Sequence, residues 1–443
     1  MKPSPYNLFF PILDGRIVLA YNTCSGAVAE IERENYPLVQ DILAHPDRPR
    51  EGQAAEFLEC LRAGGFVIPD TLDQPASLRL KSRSDRLEGT TLALTVAPTL
   101  ACNFACDYCF ESRSGARMSE ETQRALLAFA DRRLYHAEGL RVCWFGGEPT
   151  LCFAMIEKLQ QQLVELAARH KVKLHPCLIV TNGYLMDAAM ATRLRELGVQ
   201  QAQVTLDGPA PAHDRRRKLR NGQGTFERIV DNLSRTADIL AVNVRINIDK
   251  DNVDSVHEVV ALLHERGILG KVKVTFAPIT PAGEACADIR ERCHDNEDFA
   301  RIMTRIYRRL AADGIEQINR PRVSSGGICG AVAEGYYVVS PTGLLFKCWE
   351  DLCDDAEKSI GSIFSDAASE RQRANLEAYR AWQPLALADC GPCAYSPVCM
   401  GGCPARGREN PGASRGECAT WRYNLGDMLE IAYAAAAAKQ QKP

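Results

Sequence analysis

The chain has 443 residues, with 53 Lys+Arg against 56 Asp+Glu and a formal net charge of −3, a balance that argues against a nucleic-acid binder and its strongly basic face. At 46% hydrophobic and 25% charged residues it is composed like two or three globular domains, not a disordered or fibrous chain. No apolar run reaches the ~18 residues of a membrane span, and the first fourteen residues, broken by Pro11 and Asp14, lack a secretory signal pattern. A cytoplasmic protein without nucleic-acid or membrane partners is expected.

Residues 1–75 read as a small α+β unit. Apolar segments at 6–13 and 17–21 flank Asp14-Gly15, a hairpin signal. Helical stretches follow at about 34–44 and 53–63. Gly64-Gly65 stops the second, and residues 66–68 make a short strand. Residues 72–90 are polar and charged, and a linker is expected over 76–90.

From residue 91 to 320, strand-like runs alternate with amphipathic helices. The strands fall at 91–97, 141–145, 174–180, 203–206, 242–248 and 272–276. The helices include 119–133, 152–170, 188–196, 226–237 and 253–265. Six β-then-α units predict an α/β fold with a parallel sheet, whose functional loops lie at the carboxyl ends of the strands. Beyond 320, Gly, Pro and Cys become dense, and a closing helix is expected from 428.

Eighteen cysteines are too few for a disulfide scaffold, and an unexported chain keeps its thiols reduced. Their spacing separates core residues from metal ligands. Cys102, Cys106 and Cys109 follow the first strand as C-x3-C-x2-C. Three thiolates on one loop suit an iron–sulfur cubane and leave its fourth iron open. Zinc would want a fourth Cys or His, and none lies between Phe110 and Leu134.

The segment CNFACDYCF, with the aromatic Tyr108 before its third cysteine, resembles the signature of the radical S-adenosylmethionine (SAM) superfamily. The resemblance implies a partial (β/α)6 TIM-like barrel and a 4Fe–4S cluster on Cys102, Cys106 and Cys109. It implies that the open iron chelates SAM, which yields a 5′-deoxyadenosyl radical on reduction. Gly146, Gly147 and Glu148 of GGEP follow the second strand. The glycines allow close backbone approach, and Glu148 resembles the family's contact to the methionine amino group. Thr205 and Arg217, in TLDGP and HDRRR, resemble the segment that meets the cofactor, with Arg217 on its carboxylate. Asn247 and Ile279 end the fifth and sixth strands, where they border the cofactor or are plain barrel residues. No residue is singled out as a general acid, base or nucleophile.

A second set, Cys329, Cys348, Cys390, Cys393, Cys399, Cys403 and Cys418, reads C-x13-G-x4-C, C-x2-C-x5-C-x3-C, then x14-C. Such pairs also bind zinc. The spacing resembles the SPASM extension of radical SAM enzymes, expected over 321–427, which implies two auxiliary 4Fe–4S clusters and three in all. On that pattern Cys329, Cys348 and Cys403 hold the nearer cluster, and Cys390, Cys393, Cys399 and Cys418 the outer one. The nearer cluster then has an open iron or takes Cys353. Cys24, Cys60, Cys143, Cys152, Cys177, Cys286 and Cys293 lack cluster spacing, and most read as buried small hydrophobes.

The unit at 1–75 resembles the winged-helix-like recognition element of ribosomal peptide maturases, or it only caps the barrel. The whole resemblance implies a peptide maturase with a leader-bearing precursor peptide and a reductant such as flavodoxin or ferredoxin as partners. A thioether crosslink is the first expectation, a carbon–carbon crosslink the second. Formylglycine formation, as in anaerobic sulfatase maturases, and a non-catalytic metal-binding peptide scaffold are the alternatives. Those maturases place an aspartate directly after the second SPASM cysteine, whereas here Trp349-Glu350-Asp351 follow Cys348.

Overall fold

A computed structural model describes residues 1–87, 90–111, 114–281, 289–315, 329–408 and 418–440. The chain forms two compact units. One comprises Met1–Leu87, Asn296–Cys329 and Trp382–Pro443; the other comprises Glu88–Asp295 and Gly330–Ala381.

The second unit is built on six parallel strands: β1 (Thr91–Val96), β2 (Gly139–Trp144), β3 (Cys177–Thr181), β4 (Val199–Thr205), β5 (Ala241–Ile248) and β6 (Val272–Pro278). They lie in the order β6-β5-β4-β3-β2-β1, with no reversal. Sequential right-handed crossovers keep every helix on one face, so such a sheet has no switch-point crevice and curls around its other face. Leu94, Val96, Val142, Ile179, Val204, Val244, Ile246 and Val274 share one face of the sheet and are all buried, as a face covered by helices requires. The helices Glu120–Leu134 and Ala188–Glu196 start on Ser119 and Asp187, whose side chains accept from Thr122 N and Met190 N.

The sheet continues beyond the barrel strands. β7 (Tyr336–Val339) pairs parallel with β1, and β8 (Leu344–Phe346) and β9 (Gly361–Ser362) follow antiparallel. Residues 330–381, expected with the C-terminal cysteine domain, therefore belong to the compact unit of the barrel. Residues 296–315, expected in the barrel, belong to the first unit. The helix Asn296–Ala312 instead packs along the helix Trp421–Gln440, with Asn424 Nδ2 donating to Ala300 O at 3.0 Å.

In the first unit, strands Asn7–Ile12, Ile17–Asn22 and Val28–Glu32 form an antiparallel sheet. Side-chain alternation sends Val18 and Ala20 to one face and Leu19 and Tyr21 to the other. The first pair packs on Val39, Ile42, Leu58 and Leu61 of the helices Tyr36–Ala44 and Gln53–Ala63. The second pair packs on Leu425 and Leu429 of the helix Trp421–Gln440. That helix begins seven residues before the expected one. The expected linker is also corrected: Gln74–Leu87 is a helix. It buries little besides Leu78, against Tyr6 and Leu385, which explains its polar composition. Among the described residues no helix is long and apolar enough to cross a membrane.

Candidate active site

A cavity of about 200 Å³ opens where β1 to β6 end. Cys102, Cys106 and Cys109 line it, together with Tyr108, Gly146, Gly147, Thr205, Arg217 and Ile279. These residues, singled out in separate motifs, thus share one site.

The cysteine loop is held by backbone bonds from two sides. Ala105 N donates to Lys218 O at 2.9 Å, Arg220 N to Asn103 O at 3.1 Å, and Arg220 Nε to Cys102 O at 2.8 Å. From the other side, Gly147 N donates to Thr99 O at 3.1 Å and Glu148 N to Ala101 O at 2.9 Å. A Cβ on Gly147 would fall on the carbonyl oxygens of Leu100 and Ala101, and Gly146 has φ +110°. Only glycine lets the two loops lie this close. Burial, with the nearby Cys106, pushes the Cys102 and Cys109 thiols up to about 12. A cationic metal centre reverses that logic and takes thiolates.

Tyr108 ties the loop to the ends of β4 and β5. Its hydroxyl donates to Asp207 Oδ2 and accepts from Arg217 Nη1 at 2.5 Å and Asn247 Nδ2 at 3.3 Å. The Arg216 guanidinium stacks 5.1 Å from its ring and pairs with Asp249 at 2.7 Å, both side chains being buried. Arg217 also sits 3.9 Å from Asp207 Oδ2, and its buried Nε has no hydrogen-bond partner. His213 reinforces the turn. Its Nδ1 accepts from Asp207 N at 3.2 Å, so Nε2 carries the proton toward Thr225 Oγ1, 3.1 Å away.

Glu148 is fully buried at the GGEP loop. It is not among the residues lining the cavity. Its carboxylate accepts from Thr150 N at 3.1 Å, Thr150 Oγ1, Thr181 Oγ1 at 2.6 Å and Asn182 N at 2.7 Å. Burial raises its pKa while these donors pull it down. Through these donors it joins the GGEP loop to the end of β3.

In the first unit Cys390, Cys393, Cys399 and Cys418 are near neighbours. Burial and the other three thiols push Cys390 up to about 11. Cys403 caps the turn Pro404–Gly407 in this same unit, to which Cys329 also belongs; Cys348 caps the turn Trp349–Asp351 in the second unit. Cys353 packs on the apolar cluster of Ala97, Leu100, Phe145 and Phe346, and burial raises its pKa. Among the described residues no three of His, Cys, Asp and Glu converge on a single-metal site. A cubane has a different spacing, since each thiolate binds a different iron. Of the remaining cysteines, Cys152 and Cys177 are buried, Cys24, Cys143 and Cys293 are half-buried, and Cys60 is exposed. Cys286 lies outside the described residues.

The motifs missed Gln203, Arg245, Phe145, Trp349 and Glu350, which also line the cavity. The signal for two of them was present. Gln203 and Arg245 precede Thr205 and Asn247 by two residues and so share their face of the strands.

Residues 96–263 match the family model "Radical SAM superfamily". The Fe-coproporphyrin III synthase of Methanosarcina barkeri is 29% identical over 44% of this chain, and the match spans only 45% of that protein. A serine-type anaerobic sulfatase-maturating enzyme of Klebsiella aerogenes is 26% identical over 69% of this chain and 77% of its own length. The solved structure of native anSMEcpe with bound AdoMet and Kp18Cys peptide superposes with a TM-score of 0.56 at 18% identity. It covers 78% of this chain and 99% of that one, which shows a shared fold. The three cavity thiols, the glycine cradle and the buried Arg217 with its unpartnered Nε fit the cluster and cofactor that this superfamily implies. The chain carries a radical SAM domain and is a radical SAM enzyme.

Proposed function

We propose that the enzyme modifies a residue of a ribosomally made precursor peptide, joining a cysteine sulfur to carbon. The carrying observation is the single cavity in which the three thiols meet Gly146, Gly147, Thr205 and Arg217. When bound there, the cluster and SAM would supply hydrogen-atom abstraction, and auxiliary clusters would supply a sink for one electron. The chain's own residues do the positioning. Cys102, Cys106 and Cys109 hold the cluster, and Gly146 and Gly147 admit the cofactor against bare backbone. Arg217 and Thr205 orient its polar end, while Tyr108 locks Arg217 in place. The aromatic pair Phe145 and Trp349, stacked at 5.3 Å, gives the cavity an apolar wall.

On the spacing, Cys390, Cys393, Cys399 and Cys418 would hold the outer auxiliary cluster, and Cys329, Cys348 and Cys403 the nearer one. The apolar surroundings of Cys353 support a nearer cluster that would take three protein cysteines and leave room for a substrate thiolate. A flavodoxin or ferredoxin supplies the electron. The leader adds as a strand beside Val28–Glu32, which pairs on one side only; the opposite edge carries Pro11, which blunts strand addition.

The test is incubation of the reconstituted enzyme with SAM, dithionite and Cys-containing precursor peptides. A product lighter by two hydrogens, with one thiol lost, is expected. A product with the thiol intact and two hydrogens lost would make the bond carbon–carbon. Replacing Val28, which is 54% exposed, by Lys lowers leader affinity roughly tenfold by blunting the edge. Unchanged affinity would reduce the sheet to a cap.

Formylglycine formation is the second reading, favoured by the sulfatase-maturating relative. Asp351 accepts from Tyr379 at 2.6 Å and does not line the cavity, so Glu350 and the buried Glu111 are the carboxylates available there. A Cys- or Ser-containing sulfatase peptide converted to the aldehyde would select this reading.

A further inference from the structure

Arg245 lies on β5 and Gln203 on β4, each one strand step inside a residue expected at the cofactor, and both line the cavity. Arg245 Nε donates to Asn247 Oδ1 at 2.8 Å. Among the described residues no group accepts from its two Nη nitrogens. Burial works against this charge and lowers its pKa, while Tyr108, Asp207 and Glu350 help to hold it. Arg217 differs, because Tyr108 and Asp207 already answer it. A half-buried guanidinium whose fork meets no protein acceptor and faces a cavity is set to take an anion.

Gln203 has its amide set by its neighbours. Asn243 Nδ2 donates to Gln203 Oε1 at 3.4 Å, and Thr275 Oγ1 donates to Asn243 Oδ1 at 3.2 Å. The Gln203 Nε2 group is therefore left as a donor beside Arg245. Two guanidinium N–H groups and one amide N–H in one wall match the lone pairs of a carboxylate.

We propose that the substrate residue brought into this cavity carries a carboxylate, which Arg245 receives through its two Nη groups with Gln203 donating alongside. The proposal rests on the peptide reading above and names the chemistry of the residue delivered. The carboxylate belongs to an Asp or Glu side chain or to a peptide C-terminus.

The test uses the full chain with its clusters and SAM, and reads binding by tryptophan fluorescence, since Trp349 lines the cavity. The probes are N-acetyl-Gly-Glu-Gly-amide, its Gln analogue, N-acetyl-Gly-Gly-Gly with a free C-terminus, and glutarate against glutaramide. The Glu peptide or the free C-terminus should bind about tenfold or more tightly than the Gln peptide, the usual worth of hydrogen bonds to a charged group. Whichever is preferred identifies the source. Arg245→Gln should erase the preference and Arg245→Lys keep part of it, with SAM affinity retained. Arg245→Lys carries the test if the Gln variant fails to load clusters. Equal binding of acid and amide in the wild type overturns the proposal. So does a loss of SAM affinity in Arg245→Gln as large as the loss for the probe, which would give Arg245 to the cofactor. If glutarate alone binds through Arg245, the carboxylate site stands and the peptide reading falls. If no probe binds, the proposal falls, and the precursor mass test still judges the peptide reading.

Discussion

Cys102, Cys106 and Cys109 sit on a loop bonded through its backbone to two neighbouring segments, with Tyr108 anchored by Asp207, Arg217 and Asn247. Cys390, Cys393, Cys399 and Cys418 sit on a stretch whose regular structure around the first three is two four-residue turns, Ser396–Cys399 and Pro404–Gly407. Met400 there takes a left-handed conformation at φ 49°. The first set is held by the scaffold before any metal arrives, as a reacting centre requires. The bonds around the second are mostly short-range turn bonds, such as Cys393 N to Cys390 O and Cys399 N to Tyr395 O, so metal should supply much of its order.

The largest effect that sharpens this contrast is chemical. Replacing Cys102, Cys106 and Cys109 by Ala should abolish deoxyadenosine release while thermal stability of the barrel changes little. Iron should fall from about twelve to about eight per chain. Iron near four in the unaltered enzyme, with zinc making up the rest, would break the contrast at its second term.

Metal removal comes next. Chelation should expose the segment 382–408 to protease many-fold faster, with the region 91–281 nearly unaffected. Equal acceleration in both regions would show that the first loop is metal-ordered as well.

Gly147→Ala probes the scaffold alone. Its Cβ meets backbone oxygens on two residues, which cannot rotate away, so a cost of about 2–3 kcal/mol is expected in denaturant melts. SAM affinity should fall with it. A neutral substitution would mean that the two loops are not in rigid contact.

The smallest effect is a pH slope. Burial and the charges of Arg217 and Arg216 hold the His213 imidazole well below its ordinary value near 6.5. The unfolded chain then binds a proton that the folded chain refuses. Its contribution is intact above pH 6.5 and is lost as pH falls below it, at about 1.4 kcal/mol per pH unit. His213→Asn should flatten that slope in melts between pH 5 and 7, and an identical slope in both proteins would assign it elsewhere.

The sheet was legible because each strand run is apolar and is followed by an amphipathic helix, and the helix 188–196 was bounded to the residue. The site was legible where glycine, cysteine and arginine were required by type. Glu148 was legible only in part, because a carboxylate after two glycines shows nothing of the donors on Thr150, Thr181 and Asn182 that hold it. Gln74–Leu87 was hidden because a helix that buries little besides one leucine has almost no apolar period. Arg245 was hidden because a charged residue inside a strand carries no motif. The reassignment of 330–381 depends on β7 pairing with β1, a contact between strands some 240 residues apart that no local pattern announces.

The first unit is assembled from three stretches of chain, and its sheet face of Ile12, Leu19 and Tyr21 is covered by Leu425 and Leu429. About four hundred residues separate the two sides of that contact. At ~5–20 residues per second of synthesis, the sheet waits roughly 20–80 s with one apolar face bare. Through that interval the nascent chain offers an exposed hydrophobic strand surface of the kind that chaperones hold and neighbouring chains capture. The yield of folded enzyme in a cell should therefore depend on how fast the ribosome reaches the last helix and on which chaperones are present, before any cluster is inserted.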